Sequence, residues 1–303
     1  MAKNNTASKI KTKNIASEVF YQCMMLPGMV FVILFNLVPM LGIIMAFQDF
    51  KPAKGFLGSK FVGLKHYIYL FQIPDGFNIF RNTLVIAVGK IVIGTLMAIA
   101  FSILLNEIKH VWLKKGVQTV VYLPHFLSWV ILATAIKNLF RLDGFVNAVL
   151  GTGVNFLGSN SFFQPLLIGS DVWKEFGYNS VVYLAALTAI DPGLHEAAKI
   201  DGANWWDRVI HVTLPGMRSV IILMCAMSLG SILNAGFDQV YNLYTAPVYE
   251  TGDIIDTYVY RVGLTSMQYS FATAIGLLKS VIAFVLMMLA NHLAKKYTDS
   301  KIF

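Results

Sequence analysis

Residues 195–215 read HEAAKIDGANWWDRVIHVTLP. His195, Glu196, Lys199, Asp201, Asp207, Arg208 and His211 crowd into this stretch, with Asp191 just before it. The chain around it is 56% hydrophobic and only 13% charged, against about 25% charged in a soluble globular protein. A polar segment between long apolar runs must face water or another protein. Asp191-Pro192 is a helix start, because Asp can cap free amides and Pro is tolerated at the first helical position. GLHEAAKID then reads as a short helix, on which Glu196 and Lys199 are spaced to pair. Ala197 and Ala198 give it a small-residue face. Gly202 permits a sharp turn, and ANWWDRVIHV reads as a second short helix anchored by Trp205 and Trp206. Leu214-Pro215 ends that helix and opens the next apolar run. From the residues alone, this is an amphipathic hairpin at a membrane surface, with Trp in the headgroup belt.

Outward from this hairpin, the 303 residues have a mean hydropathy of +0.63. They carry apolar runs at about 24–47, 83–105, 117–140, 163–190, 219–236 and 270–293. A helix needs about 20 residues to cross the hydrocarbon, so six transmembrane helices are expected, the fifth being short. The first run follows Lys3, Lys9, Lys11 and Lys13. Its apolar core is too long for a cleaved signal peptide and no small-x-small site follows it, so a retained span is expected.

The Lys and Arg distribution sets the orientation. The N-terminus, the second-to-third loop, the 191–217 loop and the C-terminus hold thirteen Lys and Arg, against seven in the other loops. The hairpin and both termini are therefore expected on the cytoplasmic side. The net charge of +8 fits basic cytoplasmic loops rather than nucleic-acid binding. The outer loops, about 48–82, 141–162 and 237–269, are longer. The last, GFDQVYNLYTAPVYETGDIIDTYVYRVGL, is aromatic and acidic; it suits a docking partner or a ligand path, or is a re-entrant or capping loop. Cys23 and Cys225 form no C-x-x-C pair, so no metal or redox motif is visible.

The spacing of the hairpin is more specific than its polarity. Glu196-Ala197-Ala198, three residues, Gly202, nine residues, Val212, one residue, then Leu214-Pro215 resembles the E-A-A loop of ABC-importer permeases. Val212 stands where isoleucine is usual. With Asp201 and Ala203 flanking Gly202, the stretch resembles the carbohydrate, maltose-type branch. The resemblance runs from about residue 20 to the C-terminus. The SILNAGFDQVYNLYTAPVYETGDIIDTYVYRVGL segment is similar to the subgroup importing oligosaccharides and polysaccharide breakdown products, alginate- and uronate-type permeases among them.

The resemblance implies an all-α membrane protein of the type I importer fold, with a permease domain over 24–303 after a cytoplasmic segment 1–23. It implies a coupling helix in loop 191–217, with Glu196, Ala197, Ala198, Asp201, Gly202, Leu214 and Pro215 coupling it to an ATPase. Its implied partners are a second homologous permease, two copies of a cytoplasmic ATPase carrying ATP and Mg, an extracytoplasmic solute-binding protein and membrane lipid. The chain has no G-x-x-x-x-G-K-[ST] loop, so hydrolysis is expected on the partner and this chain is not expected to be an enzyme.

Ionisable residues inside spans are costly and often functional; Lys90, His125, Lys137, Asp171, Lys174, Glu175 and Lys279 are of this kind. Two stretches mix aromatic faces with polar groups, YLPHFLSWV from Tyr122 and DVWKEFGYNS from Asp171. By resemblance to maltose-type permeases, the sugar path takes His125, Trp129, Trp173, Lys174, Glu175 and Tyr178, with Asn234 and Phe237 from the start of the outer loop. Each residue singly is equally well read as helix packing. Lys174 and His125 would suit an acidic sugar, unless Asp171 and Glu175 cancel them. An ion-coupled secondary transporter is the alternative, although no internal repeat is visible. A membrane enzyme would need a catalytic constellation, which the scattered histidines do not form.

Overall fold

The computed structural model describes residues 15–298, and these are mostly helical. Helix α1 (Ile15–Val32) continues through a π turn at Ile33–Leu37 and a helical turn at Val38–Met40 into a 3-10 segment, Leu41–Phe47. Pro39 cannot donate to the ladder and crowds the carbonyl four residues earlier, so the ladder widens just before it. A two-residue antiparallel pair follows, Gln48–Asp49 with Lys60–Phe61. The main helices are then α2 (Pro74–Glu107), α3 (Val111–Tyr122), α4 (Trp129–Phe140), α5 (Asn160–Thr188), α6 (Pro192–Ile200), α7 (Leu214–Gly230), α8 (Phe237–Leu243) and α9 (Tyr269–Thr298). The basic N-terminal segment and Lys301 lie outside the described residues.

Among the described residues, four helices are long and apolar enough to cross a membrane: Val19–Phe47, Pro74–Glu107, Trp205–Gly230 and Tyr269–His292. A fifth candidate is a bent pair, Val111–Phe126 with Trp129–Leu150. Helix α5 has 29 residues, but its middle carries Asp171, Lys174 and Glu175.

Several expectations need correction. The third run is not one straight helix: its halves meet at 97°. A 3-10 turn holding Pro124 ends the first half, Leu127 is extended, and Ser128 caps the second by accepting from the Ile131 amide. The second helix is 34 residues long, beginning at Pro74 rather than about 83. The fifth run stops at Gly230, short of 236. Leu214-Pro215 does not end the second hairpin helix. That helix, Trp205–Arg208, passes through a π turn at Val209–Thr213 directly into α7, and the wide turn accommodates the proline.

The 237–269 loop is also more deeply buried than its polarity suggested. Val240, Leu243, Val248, Ile254 and Ile255 are each fully buried. The loop is tied to the spans through its backbone. Asn82 on α2 donates to the carbonyls of Glu250 and Asp253, Thr83 accepts from the Ile255 amide, and Gln164 on α5 donates to Thr251 O. The loop is a plug packed into the helices rather than a free surface. These bonds satisfy irregular backbone, which is tolerated at membrane depth only where protein or a water-filled cavity receives it.

Helices α2 and α5 form the spine, in contact along much of their length. At one end Ile103, Tyr183, Leu187, Val209 and Met217 pack together. Toward the other end Ile86, Phe163 and Leu167 enclose the plug's Val240, Val248 and Ile254. Ile79, Ile255, Phe271 and Ile275 join the plug to α9. The spine approaches α3 closely at Gly177, where a Cβ would lie 2.4 Å from the Val121 carbonyl oxygen.

Candidate functional site: a capped hairpin and an ion-paired layer

The hairpin that follows α5 is rigid for reasons written in its sequence. Asp191 Oδ1 accepts from the Gly193 amide at 2.9 Å and caps α6. The far end closes with the Ala203 amide bonding Ala198 O at 2.9 Å and the Gly202 amide bonding Lys199 O at 3.1 Å. This bond pair defines a Schellman cap, and Gly202 holds the left-handed position it requires, at φ +83°. Asn204 and Asp207 then exchange side-chain-to-amide bonds as a capping box. Trp205 Nε1 donates to Glu107 at 3.1 Å, hooking the hairpin to the end of α2. Glu196, Ala197, Asp201, Gly202 and Pro215 are exposed, and Ala198 and Leu214 are half-buried. No Glu196–Lys199 ion pair forms among the described residues. Ile200 is 85% exposed and Trp206 64%, so the hairpin presents a firm, partly apolar tip.

The plug and the hairpin occupy opposite ends of α2. Asn82 holds the plug and Glu107 holds Trp205. At 1.5 Å per residue the intervening helix rises about 38 Å, more than the ~30 Å hydrocarbon core. A polar layer lies between them. Lys90 Nζ is 3.1 Å from Asp171 Oδ1 on α5 and 2.7 Å from Ala235 O, and it also bonds the Gln239 amide oxygen. Gln239 Nε2 donates to Leu167 O at 2.7 Å and Ser170 Oγ at 2.8 Å. Gly236 lets the chain turn here at φ +95°, where a Cβ would stand 2.9 Å from Lys90 Nζ.

A second group lies at the break between α3 and α4. Lys174 Nζ donates to Glu175 Oε1 and to His125 O, each at 2.7 Å, and the other Glu175 oxygen is 2.6 Å from His125 Nδ1. The His125 and Tyr178 rings stack at 3.9 Å, and Lys174 lies over the Trp129 ring at 5.6 Å.

Of the expected path residues, the structure gathers His125, Trp129, Lys174, Glu175 and Tyr178 into this one cluster. It leaves Trp173 apart, half-exposed in an apolar groove with Ile93, Met97 and Phe176. Asn234 is exposed, and Phe237 stacks on Tyr241 beside the plug. Lys174 is 6% exposed and its charge is met by Glu175, so it is not a free cation. Lys279 pairs with Asp256 at 2.6 Å. The sequence reading missed Gln239, Asp253 and Arg261. Arg261 pairs with the buried Asp253 and lies 4.1 Å from the Tyr249 ring centre. Burial pushes the Asp253 carboxyl up, opposed by its Thr257 hydrogen bond and by Arg261. Among the described residues no His, Cys, Asp or Glu cluster has metal-holding geometry.

A helical bundle with an ion-paired layer through its middle, a buried plug at one end and a capped hairpin at the other has the make-up of a membrane transport subunit. The chain belongs to the family described as the binding-protein-dependent transport system inner membrane component, which matches residues 90–299. The "Polygalacturonan/rhamnogalacturonan transport system permease protein YteP" of Bacillus subtilis (strain 168) is 42% identical over 99% of this chain and 95% of its own length. Protein LplB of the same organism is 37% identical over 92% and 90%. A solved bacterial ABC transporter involved in the import of the acidic polysaccharide alginate superposes with a TM-score of 0.86 at 36% identity, over 94% of this chain and 98% of that one. The alginate transporter in complex with an alginate pentasaccharide-bound periplasmic protein aligns equally well, over 96% and 99%.

Proposed function

We propose that this chain is a permease subunit of an ATP-driven, binding-protein-dependent importer of oligosaccharides, uronate-containing ones included. It forms part of the translocation path and does not itself hydrolyse ATP. The observation that carries this reading is the 191–217 hairpin: capped at both ends of α6, hooked to α2 by Trp205–Glu107, and exposed at Glu196, Ala197, Gly202, Ile200 and Trp206. A lever must be stiff and must offer a surface, and this element does both.

In this reading α6 is a coupling helix. Glu196 bonds a cytoplasmic ATPase, Ala197 and Ala198 let it approach closely, and Asp201 and Gly202 set the turn. Val212, Leu214 and Pro215 pass the motion into α7. Two ATPase copies carry ATP and Mg; their closure moves the hairpins as rigid bodies. A second, homologous permease completes the path, and an extracytoplasmic solute-binding protein delivers sugar to the plug end. The chain is then a multi-pass protein of the bacterial cell membrane with both termini cytoplasmic, and the permease domain spans 24–303. The cluster of His125, Trp129, Lys174, Glu175 and Tyr178 borders the path, with Trp173, Asn234 and Phe237 nearer its margins. The names of the relatives, concerned with polygalacturonan and alginate, support acidic oligosaccharides as substrates.

Uptake of labelled trigalacturonate into cells expressing the whole system tests this reading against an ion-coupled transporter. ATP depletion should stop uptake while a protonophore, at clamped ATP, leaves it. The opposite pattern overturns the importer reading.

A further inference from the structure

The plug end of the bundle holds a cavity of about 400 Å³ in which the wall of α4 meets the plug. Lys137 and Arg261 line it together with Tyr241, Tyr244, Tyr249 and Tyr260. This is a different place from the cluster at the α3–α4 break and from the Lys90 layer. Its volume lies in the lower part of the range that takes small ligands.

The electrostatics of the cavity are unbalanced. Among the described residues, every other lysine singled out in the spans is neutralised: Lys90 by Asp171, Lys174 by Glu175 and Lys279 by Asp256. Arg261 is neutralised by Asp253 but keeps its flat face against the Tyr249 ring. Lys137 alone of this set forms no ion pair or hydrogen bond among the described residues, although it is half-buried. One uncompensated positive charge therefore lies in a partly desolvated cavity, where an anion is attracted more strongly than at an open surface.

The tyrosines supply the rest of a sugar's requirements. Tyr241 and Tyr260 lie edge to face, with ring centres 5.0 Å apart, and Tyr244 and Tyr249 are 4.9 Å apart. They offer flat apolar faces for a pyranose ring and phenolic hydroxyls at the rim. Phe237 stacks on one side of the Tyr241 ring, which stays 41% exposed.

We infer that this cavity is a carboxylate-reading subsite, in which a hexuronate residue of the incoming chain places its carboxylate on Lys137 and its ring against Tyr241. It deepens the importer reading and rests on it for the substrate class. A neutral hexose or a methyl-esterified uronate would fill the same space without meeting the charge. The site would thus favour acidic sugars at the outer mouth, before they reach the ion-paired layer.

The test is equilibrium dialysis of tritiated trigalacturonate and its methyl ester against the purified complete assembly in nanodiscs, without binding protein. Wild type should bind the acid roughly tenfold more tightly than the ester, the scale of one hydrogen bond to a charged group. Lys137→Gln should bring the acid down to the ester's level and Lys137→Arg should keep the preference. Tyr241→Leu should weaken both probes alike. Thermal melts of each variant check that the bundle is intact. Equal or undetectable binding of the two probes by wild type, or a preference kept in Lys137→Gln, overturns the subsite. ATPase stimulation by loaded binding protein, measured in parallel on wild type, reports separately on the importer reading: its absence refutes that reading while an acid preference mapped to Lys137 would still stand.

Discussion

The Lys90 ammonium lies 3.1 Å from the Asp171 carboxylate, and the same nitrogen bonds Ala235 O. One cation thus ties α2, α5 and the turn that leads back into the bundle. Lys90 is almost fully buried and Asp171 about three-quarters so. Removing one partner leaves the other charge uncompensated. Lys90→Met should cost about 3 kcal/mol, the order found when a buried pair is broken, while Lys90→Met with Asp171→Leu should recover much of the loss. Melting midpoints in detergent measure this; equal midpoints for wild type and Lys90→Met would show that the pair is not a fastening.

Gly177 is where α5 passes α3. A Cβ there would lie 2.4 Å from Val121 O and 2.6 Å from a Val121 methyl. Because the first obstacle is backbone, the helices must separate. Gly177→Ala should lower stability by about 1–3 kcal/mol, as overpacking does, and the same melts would register it. No change would mean that α3 yields freely.

Gly202 is constrained by conformation and not by space, since nothing lies within 4 Å of a Cβ built there. Asn tolerates the left-handed region, whereas a β-branched residue resists it by about 1–2 kcal/mol. Gly202→Asn should keep oligosaccharide uptake near wild type and Gly202→Val should reduce it severalfold. Equal uptake by both would remove the turn from the account.

Lys174 sits against Glu175 and holds the His125 carbonyl at the break between α3 and α4. Its charge is already met. Lys174→Met should therefore lower uptake of trigalacturonate and of its methyl ester by similar factors. A loss confined to the acid would show that Lys174 offers its charge to substrate.

These residues also show how far the sequence could be read. The first hairpin helix and its caps were legible, because caps and turns are local: Asp191 caps and Gly202 turns as their chemistry requires, whereas the π turn that carries the second helix through Leu214-Pro215 was not. Four of the six apolar runs were legible by length as spans; the third is bent, and the charges within α5 keep the fourth from the same class. The bend at Leu127–Ser128 was signalled by Pro124 and by Ser128 as a cap, yet hydropathy runs through both without a break. Lys90 and Asp171 stood out as charges in spans, but their pairing joins residues far apart in the chain and no local spacing encodes it. Gln239, uncharged and in an aromatic loop, gave no signal. The burial of Ile254 and Ile255 was hidden by their neighbours Asp253 and Asp256, which the fold pairs with Arg261 and Lys279.

The central claim, that the 191–217 hairpin transmits ATPase closure to the path, is tested most directly by ATPase activity of the assembly in nanodiscs, with and without sugar-loaded binding protein. Wild type should be stimulated by the loaded binding protein. Glu196→Ala with Gly202→Pro should lose the stimulation while the bundle still melts normally. Equal stimulation in the double variant, or a purified chain with which no ATPase associates, would contradict the account and leave the hairpin as a surface element.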